Sequence, residues 1–457
     1  MKKTITDNQV DPDILAYTVG DDPILDKALV KWDCVGTAAH VTMLSEMSGL
    51  KKPILTKKEA STVRKALGEI VRSPTFEIRV EDQDVHMAVE RALTEKLGDL
   101  GKKIHRGRSR NDQVAVDVRL HMKSEILSLE GELAQLAQAL CAFGKKSGVV
   151  PLVGRTHLQP AMPSTVAMWA TGHAELVLET HPLFEAAFAL ADLNPLGSAA
   201  GYGVPLPLDR QRTTKLLGFA DTIHNCFAAS MARGFCEASL MSALAALMSV
   251  LSRFAEDLIL FSMPEFGYFK LPRAYCTGSS IMPQKFNPDV LELVRGKTAQ
   301  VVGAQTAAWT LLHAMPGGYN RDLQDTKKLY MNALFTTRAT LRILTKVVQG
   351  LTVDAAACRR AFTPGVFATD VALTKVAAGV PWRDAYHAVR DEFAALYDGK
   401  PAAIASLDPD RQVALKTHEG TCLGLDYGRY RREIEAVARA AKTRLRALNA
   451  CADKLLK

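Results

Sequence analysis

The chain has few of the features that mark exported or metal-binding proteins. Its eight cysteines are scattered along 457 residues, with no Cys-x-x-Cys pair and no histidine cluster at metal-ligand spacing. This pattern favours reduced thiols and argues against a disulfide scaffold or a zinc site. The N-terminal residues, MKKTITDNQVDPDIL, are charged but contain no apolar segment, so we expect no signal peptide. We therefore expect a cytoplasmic protein that binds no metal.

Uninterrupted hydrophobic runs of membrane length are also scarce. Two stretches carry almost no charge, residues 238–252 and residues 298–320. The first is too short to span a bilayer, and the second contains Gln300, Gln305, His313 and a Pro-Gly-Gly break. A helix that is apolar on most sides must be buried on most sides. These stretches predict a helical bundle to which several chains contribute, and hence an oligomer without a membrane partner.

The charge balance does not predict nucleic-acid binding. The formal net charge is +8, but positive and negative residues are mixed along most of the sequence. An excess of positive charge favours anionic partners in general, and no nucleic-acid recognition motif accompanies it. We therefore expect a small acidic molecule as the partner and no nucleic acid.

Strand-like alternation is almost absent, and helical patterns are common. Residues 124–143 place Ile126, Leu129, Leu133, Leu136 and Leu140 at alternating steps of three and four, as on one seam of a helix. No repeat of 20 to 50 residues is present. The fold class that these patterns predict is mainly α.

Three further segments give local predictions. Residues 1–22 are polar, and we expect them to be irregular or to lie over a neighbour. Residues 56–71 open with a capping-box pattern, Thr56 followed three residues later by Glu59. Residues 431–457 alternate basic residues with leucine and alanine, which predicts a solvated amphipathic helix.

One loop concentrates unusual chemistry between two long helical regions. Residues 278–289 read GSSIMPQKFNPD, a segment with two prolines, paired hydroxyls and a lysine. On turn propensities alone it is a proline-rich turn with a solvated lysine. It also has the groups for acid–base chemistry on carbon: a hydroxyl such as that of Ser279 to remove a proton beside a carboxylate, and Lys285 to offset the resulting charge.

Four further segments place polar groups at helix starts or turns. VEDQDVHMAVE contains Asp84 and His86, which a helix N-terminus could aim into one pocket. GKKIHRGRSRNDQVAVDVR is a cationic segment suited to carboxylates, although its charges alone indicate a solvated turn. GRTHLQPAMP places His157 near a proline-flanked turn, and GGYNRDLQDTK places Gln324 and Lys327 on one helical face.

Together these segments resemble the signature regions of the fumarase, aspartase and argininosuccinate lyase superfamily. GSSIMPQKFNPD is similar to the signature loop of the superfamily. Within it, the Gln284-Lys285 pair resembles the pair found at these positions in the argininosuccinate lyase branch. GRSRNDQV resembles a region almost restricted to that branch. The sequence departs from the family where it lacks the W-G-G-R-F motif near its start, has Arg155 in place of a tyrosine, and has Phe286 where a second basic residue is common.

The resemblance runs from about Asp26 onward and implies a three-domain helical fold. We place an N-terminal helical domain at residues 1–105, a central helix-bundle domain at 106–360 and a small C-terminal helical domain at 361–457. The resemblance also implies that the central bundles assemble into the core of a homotetramer. Active sites would then form where three subunits meet.

The activity that the resemblance implies is reversible β-elimination of L-argininosuccinate to L-arginine and fumarate, the last step of arginine biosynthesis. No cofactor or metal is expected, because the substrate carboxylate is the electron sink. Ser279 would remove the proton, Lys285 would stabilise the carbanion, and His157, assisted by Glu292, would protonate the leaving guanidinium nitrogen. The implied substrate-binding residues are Arg110, Asn111, Thr156, Asn287, Tyr319, Gln324 and Lys327, with Asp84 and His86 nearby.

Two other functions remain open at this stage. A sister lyase acting on adenylosuccinate, fumarate or aspartate would keep the serine loop but would not be expected to keep GRSRNDQ or Gln284. A non-catalytic structural tetramer, similar to the lens crystallins of this family, would have a defective site. The chemical positions that can be matched in this sequence are all intact.

Overall fold

The structure is a computed structural model that describes residues 10–400 and 402–457. The described chain is mainly helical, which confirms the predicted fold class. The prediction of no signal peptide rests on residues 1–15. Of these, residues 1–9 lie outside the described residues.

Eighteen α-helices account for most of the described chain. They are α1 Pro12–Val19, α2 Asp22–Leu25, α3 Val30–Glu46, α4 Lys57–Arg72, α5 Val85–Leu97, α6 Arg110–Ser147, α7 Val166–Leu178, α8 His181–Ala191, α9 Arg210–Leu217, α10 Cys226–Met231, α11 Phe235–Ser262, α12 Asp289–Leu312, α13 Asp325–Gly350, α14 Ala355–Arg360, α15 Ala368–Ala377, α16 Trp382–Tyr397, α17 Pro409–Ala414 and α18 Tyr427–Leu455.

The strands are short and form two-stranded pairs. The antiparallel pairs are β1 Pro151–Thr156 with β2 Gln159–Thr165, β5 Phe269–Lys270 with β8 Thr352–Val353, and β6 Thr277–Gly278 with β7 Phe286–Asn287; β3 Leu193–Asn194 pairs in parallel with β4 Asp221–Thr222. Short 3₁₀ helices lie at Asp26–Ala28, Val80–Asp82, Gly98–Lys103, Arg273–Tyr275, Arg321–Gln324, Pro364–Phe367 and Ala403–Ser406.

Helix α6 is the centre of the main core, and α3, α7, α8, α13 and α18 all pack against it. It begins where the Ser109 side chain caps the backbone and Ser109 N donates a hydrogen bond to Asp112 Oδ1 at 2.9 Å. The residues of the predicted seam, from Ile126 to Leu140, are at most 1% exposed. The leucine pattern therefore marks the face on which the bundle is built.

Helix α11 is the most apolar long helix. It is the one helix among the described residues that is long and apolar enough to cross a membrane, and 61% of that window is buried inside the chain. It packs against α12 and α13. Such burial is typical of the core helix of a bundle.

The N-terminal region contains more helix than its sequence suggested. The predicted capping box is confirmed, since Glu59 N donates to Thr56 Oγ1 at 3.1 Å at the start of α4. The expectation of irregular structure up to Asp22 is wrong for Pro12–Val19, which forms α1. Asp11 caps that helix by accepting hydrogen bonds from two of its backbone amides, and the proline at its first position has the helical φ already.

The residues after Thr363 divide between two cores. A small separate core contains Phe367, Ala372, Val389 and Ile404. Helix α18 instead returns to the main core and packs along α6, because Tyr430, Ile434, Ala441 and Leu448 form a buried stripe on it. The domain limits stay predictions, but the chain predicted as one C-terminal unit packs in two places.

Candidate active site

A small cavity of about 160 Å³ lies where the starts of α2, α5 and α6 meet the segment before α13. Six of the sequence-predicted site residues line it together: Asp84, Arg110, Asn111, Tyr319, Gln324 and Lys327. Asp22, Gln83, Val114, Arg233 and Arg321 complete the lining. The cavity thus joins segments that lie up to 305 residues apart, from Asp22 to Lys327, around side chains of both charges.

Asp84 and Arg110 form an ion pair on one wall. Asp84 is the N-cap of α5, where its Oδ1 accepts a hydrogen bond from Met87 N at 3.1 Å. Its other oxygen accepts from Arg110 Nε at 2.8 Å. Burial alone would raise the pKa of Asp84, but the nearby positive charges of His86 and Arg110 outweigh it and lower that pKa. Asp84 is therefore a carboxylate at neutral pH and fixes the direction of the guanidinium.

Lys327 also lines the cavity and is almost fully buried. Its Nζ is 2.5 Å from Asp26 Oδ1 and 3.0 Å from Asp22 Oδ1. Burial raises the pKa of Asp22, although the attraction of Lys327 acts in the other direction. Asp22 was not among the predicted site residues, because the W-G-G-R-F motif that precedes this region in the family is missing from the sequence.

The turn before α13 is tied to the first helix. Gln324 Nε2 donates to the Thr18 carbonyl at 3.0 Å, and Arg321 Nη2 donates to the same oxygen at 2.9 Å. The guanidinium of Arg233 lies 5.2 Å from the centre of the Tyr319 ring. Arg321 and Gln83 are members of segments singled out in the sequence, whereas no sequence signal identified Arg233.

His86 lies behind the cavity wall and is not part of its lining. Its two ring nitrogens face Asp33 and Asp117, the second at 3.6 Å. Burial alone would lower the pKa of His86, but Asp33 and, more weakly, Asp84 and Asp117 raise it to about 9. The three side chains include the donor atoms of a metal site. A protonated imidazole has no free lone pair, however, so at neutral pH the cluster is a buried ion-pair network that supports Asp84.

His157 projects from the turn of the β1–β2 hairpin. The segment forms a hairpin and not only the proline-flanked turn that the sequence suggested, with Thr156 paired to Gln159. His157 and Leu158 are exposed and have φ values of 54° and 62°. Residues with a Cβ adopt this region at a cost of about 1–2 kcal/mol each. The hairpin therefore holds the imidazole in solvent at the expense of backbone strain.

The loop 278–289 is a second exposed projection, closed at its base by β6 and β7. Ser279 Oγ accepts hydrogen bonds from the backbone N–H groups of Met282, at 3.1 Å, and Ile281, at 3.4 Å. Lys285 is exposed, and Asn287 is partly buried next to the start of α12. Glu292 is exposed in the first turn of that helix.

Within this single chain the three groups of predicted residues do not share one cavity. The lining of the small cavity contains none of Thr156, His157, Ser279, Lys285, Asn287 and Glu292. Thr156 instead lines a larger cavity of about 680 Å³ between the hairpin and the residues after Thr363. One chain thus provides a small cavity lined by charged residues, a histidine hairpin and a serine loop as separate surfaces.

Comparison with known proteins identifies the arrangement. A family model described as lyase matches residues 27–303. An argininosuccinate lyase of Sorangium cellulosum is 41% identical over 397 residues, which cover 86% of this chain and 91% of that protein. The chain belongs to the argininosuccinate lyase family. Another argininosuccinate lyase, of Thermotoga neapolitana, is 38% identical over 84% of this chain and 96% of that protein.

Solved structures of related lyases share the fold of this argininosuccinate lyase family member. A structure of EDDS lyase in complex with formate matches with a TM-score of 0.80 and 23% identity, covering 98% of this chain and 94% of that one. A class II fumarase from Schistosoma mansoni matches with a TM-score of 0.70 and 15% identity, covering 93% and 94%. At these identities the likeness extends to the helical fold alone.

Proposed function

We propose that the chain catalyses the reversible β-elimination of L-argininosuccinate to L-arginine and fumarate, the last step of arginine biosynthesis, in the cytoplasm. The observation that carries the proposal is the 41% identity, over 86% of the chain, to a protein named argininosuccinate lyase. The geometry of the three surfaces supports a role for each group of residues.

Ser279 is the proposed base that removes the proton beside the substrate carboxylate. A serine hydroxyl acts as a base only when its deprotonated form is stabilised. The two backbone N–H groups that donate to Ser279 Oγ supply such stabilisation. Lys285, six residues further along the same loop, would offset the charge that develops on the substrate carboxylate.

The small cavity is the proposed binding site for the carboxylate and amino groups of the substrate. Arg110 is held by Asp84 at 2.8 Å, with Asn111, Tyr319, Gln324 and Lys327 around the same space. A ligand of this size usually occupies a pocket of about 300–1,000 Å³, whereas this cavity measures about 160 Å³. The cavity is therefore too small to be the whole site, and surfaces from elsewhere must complete it.

Completion by partner subunits in a homotetramer is the arrangement we propose. Only four of the 24 residues of α12 are buried in the single chain. Leu293, Val302, Trp309 and, on α13, Phe335 are exposed apolar side chains on these helices, with Phe335 at 71%. Such a surface is suited to burial against identical helices. His157 of one subunit and the serine loop of another would then face the cavity of a third.

His157 is the proposed donor of a proton to the leaving guanidinium nitrogen, with its protonation set by Glu292. Its position on an exposed turn suits delivery to a site on another chain. Thr156 and Asn287 would contact the substrate from the hairpin and from the loop. In this scheme the substrate carboxylate is the electron sink, so the chemistry requires no cofactor.

Fumarate release from the purified protein, followed by ultraviolet absorbance, tests the proposal. We expect turnover of argininosuccinate, its loss in Ser279→Ala, and its retention in Ser280→Ala, the neighbouring hydroxyl. Adenylosuccinate, aspartate and malate serve as alternative substrates. Turnover of one of these in place of argininosuccinate would refute the substrate, and full activity of Ser279→Ala would refute the base.

A further inference from the structure

The turn that carries His157 has a conformation that its own residues disfavour. Both central positions, His157 and Leu158, have positive φ. Two-residue hairpin turns of this kind are normally formed by Asn-Gly or Gly-containing pairs, because a Cβ is unfavourable there. The segment from Thr156 to Gln159 contains neither asparagine nor glycine. Contacts from outside the two turn residues must therefore stabilise the turn.

Arg155 makes such a contact. Its Nη1 donates a hydrogen bond to the Leu158 carbonyl at 2.9 Å, across the turn from its own strand. Its guanidinium carbon lies 4.8 Å from the centre of the Phe266 ring. Phe266 packs edge-on against Phe261 and Tyr268 at the end of α11. A continuous set of contacts thus connects the core helix α11 to the backbone of the turn.

Two further observations separate Arg155 from an ordinary surface arginine. Its Nε is buried and has no hydrogen-bond partner. This nitrogen has therefore lost its contact with water in the conformation that brings Nη1 to the turn. The register of β1 and β2 also shifts between Gly154 and Arg155. Such irregularities re-aim the side chain that follows them, and here that side chain reaches the turn.

We propose that Arg155 is a positioning residue for His157, which holds the turn through the Leu158 carbonyl and fixes where the imidazole is presented. This inference rests on the proposed proton transfer from His157. Arg155 itself does not contact the reacting atoms. A displacement of about 1 Å at a reacting group can cost about 100-fold in rate, so the effect of losing this contact is expected in kcat.

Steady-state kinetics of three variants test the proposal. Arg155→Met keeps an unbranched side chain but removes the charge and the hydrogen-bond donors. Arg155→Lys keeps the charge and one donor group. Arg431→Met, on the exposed face of α18, is the control. We expect Arg155→Met to lower kcat about 10- to 100-fold with little change in KM. Arg155→Lys should recover part of the loss, and Arg431→Met should match the wild type.

Amide hydrogen exchange of a peptide spanning residues 155–160 gives a readout independent of activity. Exchange should be faster in Arg155→Met than in the wild type, with an unchanged thermal midpoint. If Arg155→Met had the same exchange rate and the same kcat as the wild type, the proposal would be overturned. A loss of kcat that is accompanied by a lowered thermal midpoint would also overturn it. Absence of lyase activity in the wild type would sink the proposed function, whereas the exchange comparison would still decide whether Arg155 holds the turn.

Discussion

The buried His86 should make the stability of the protein fall as the pH rises through about 9. The pKa of His86 is raised from 6.5 to about 9 in the folded chain, mainly because Asp33 accepts a hydrogen bond from its ring and attracts its charge. A raised folded-state pKa means that the charged form stabilises the fold below pH 6.5. The difference of about 2.5 pKa units, at about 1.36 kcal/mol per unit, corresponds to about 3 kcal/mol, which is lost progressively as the pH rises from 6.5 to about 9.

Urea unfolding of the wild type and His86→Gln, at one fixed protomer concentration and several pH values from 6.5 to 10, measures this contribution. We expect His86→Gln to be less stable at every pH in this range, because the buried Asp33 loses its counter-charge. The decisive quantity is the difference in unfolding free energy between the two proteins. We expect it to shrink by about 3 kcal/mol toward pH 10.

A matched histidine shows whether the effect belongs to this site. His224 is exposed, and His224→Gln should give a curve parallel to that of the wild type. If the curves of the wild type and His86→Gln were also parallel from pH 6.5 to 10, His86 would not be charged at neutral pH. The interpretation of the cluster as an ion-pair network would then be wrong.

Two further substitutions test the cavity wall and the start of α4. Lys327→Met should cost about 3–5 kcal/mol in urea unfolding, because buried Asp26 would lose its counter-charge; Lys328→Met, which alters an exposed pair, should change little. Thr56→Ala should cost about 1 kcal/mol through loss of the cap of α4, measured in the same way. Thr62→Ala on the exposed side of that helix should not destabilise, and equal losses at both threonines would refute the role of the cap.

The parts of the fold that the sequence predicted are those fixed by neighbouring residues. The seam from Ile126 to Leu140 and the capping box of Thr56 and Glu59 depend on spacings of three and four residues, which a helix converts directly into contacts. The segments that carry the family signatures were also recognisable without a structure. Arg110 and Asn111, for example, belong to one such segment.

The parts that could not be predicted depend on contacts between distant segments. Asp22 lies at the site because it forms an ion pair with Lys327, which is 305 residues away in the sequence. No local sequence pattern predicts that contact. The His157–Leu158 turn lacks the usual turn residues and depends on Arg155, so its sequence did not indicate a hairpin. The stripe on α18 predicted an amphipathic helix but not which core would cover it.

The packing of the C-terminal helix α18 against the N-terminal helices has a consequence for folding during translation. Lys31 Nζ donates to Asn449 Oδ1 at 2.7 Å, and Arg64 Nε donates to the Leu455 carbonyl at 2.7 Å, across 418 and 391 residues. At a synthesis rate of about 5–20 residues per second, the N-terminal helices wait about 20–80 s for this partner. During translation they present an uncovered apolar surface to the ribosome and its chaperones, and a message truncated near its 3′ end would leave that surface uncovered permanently.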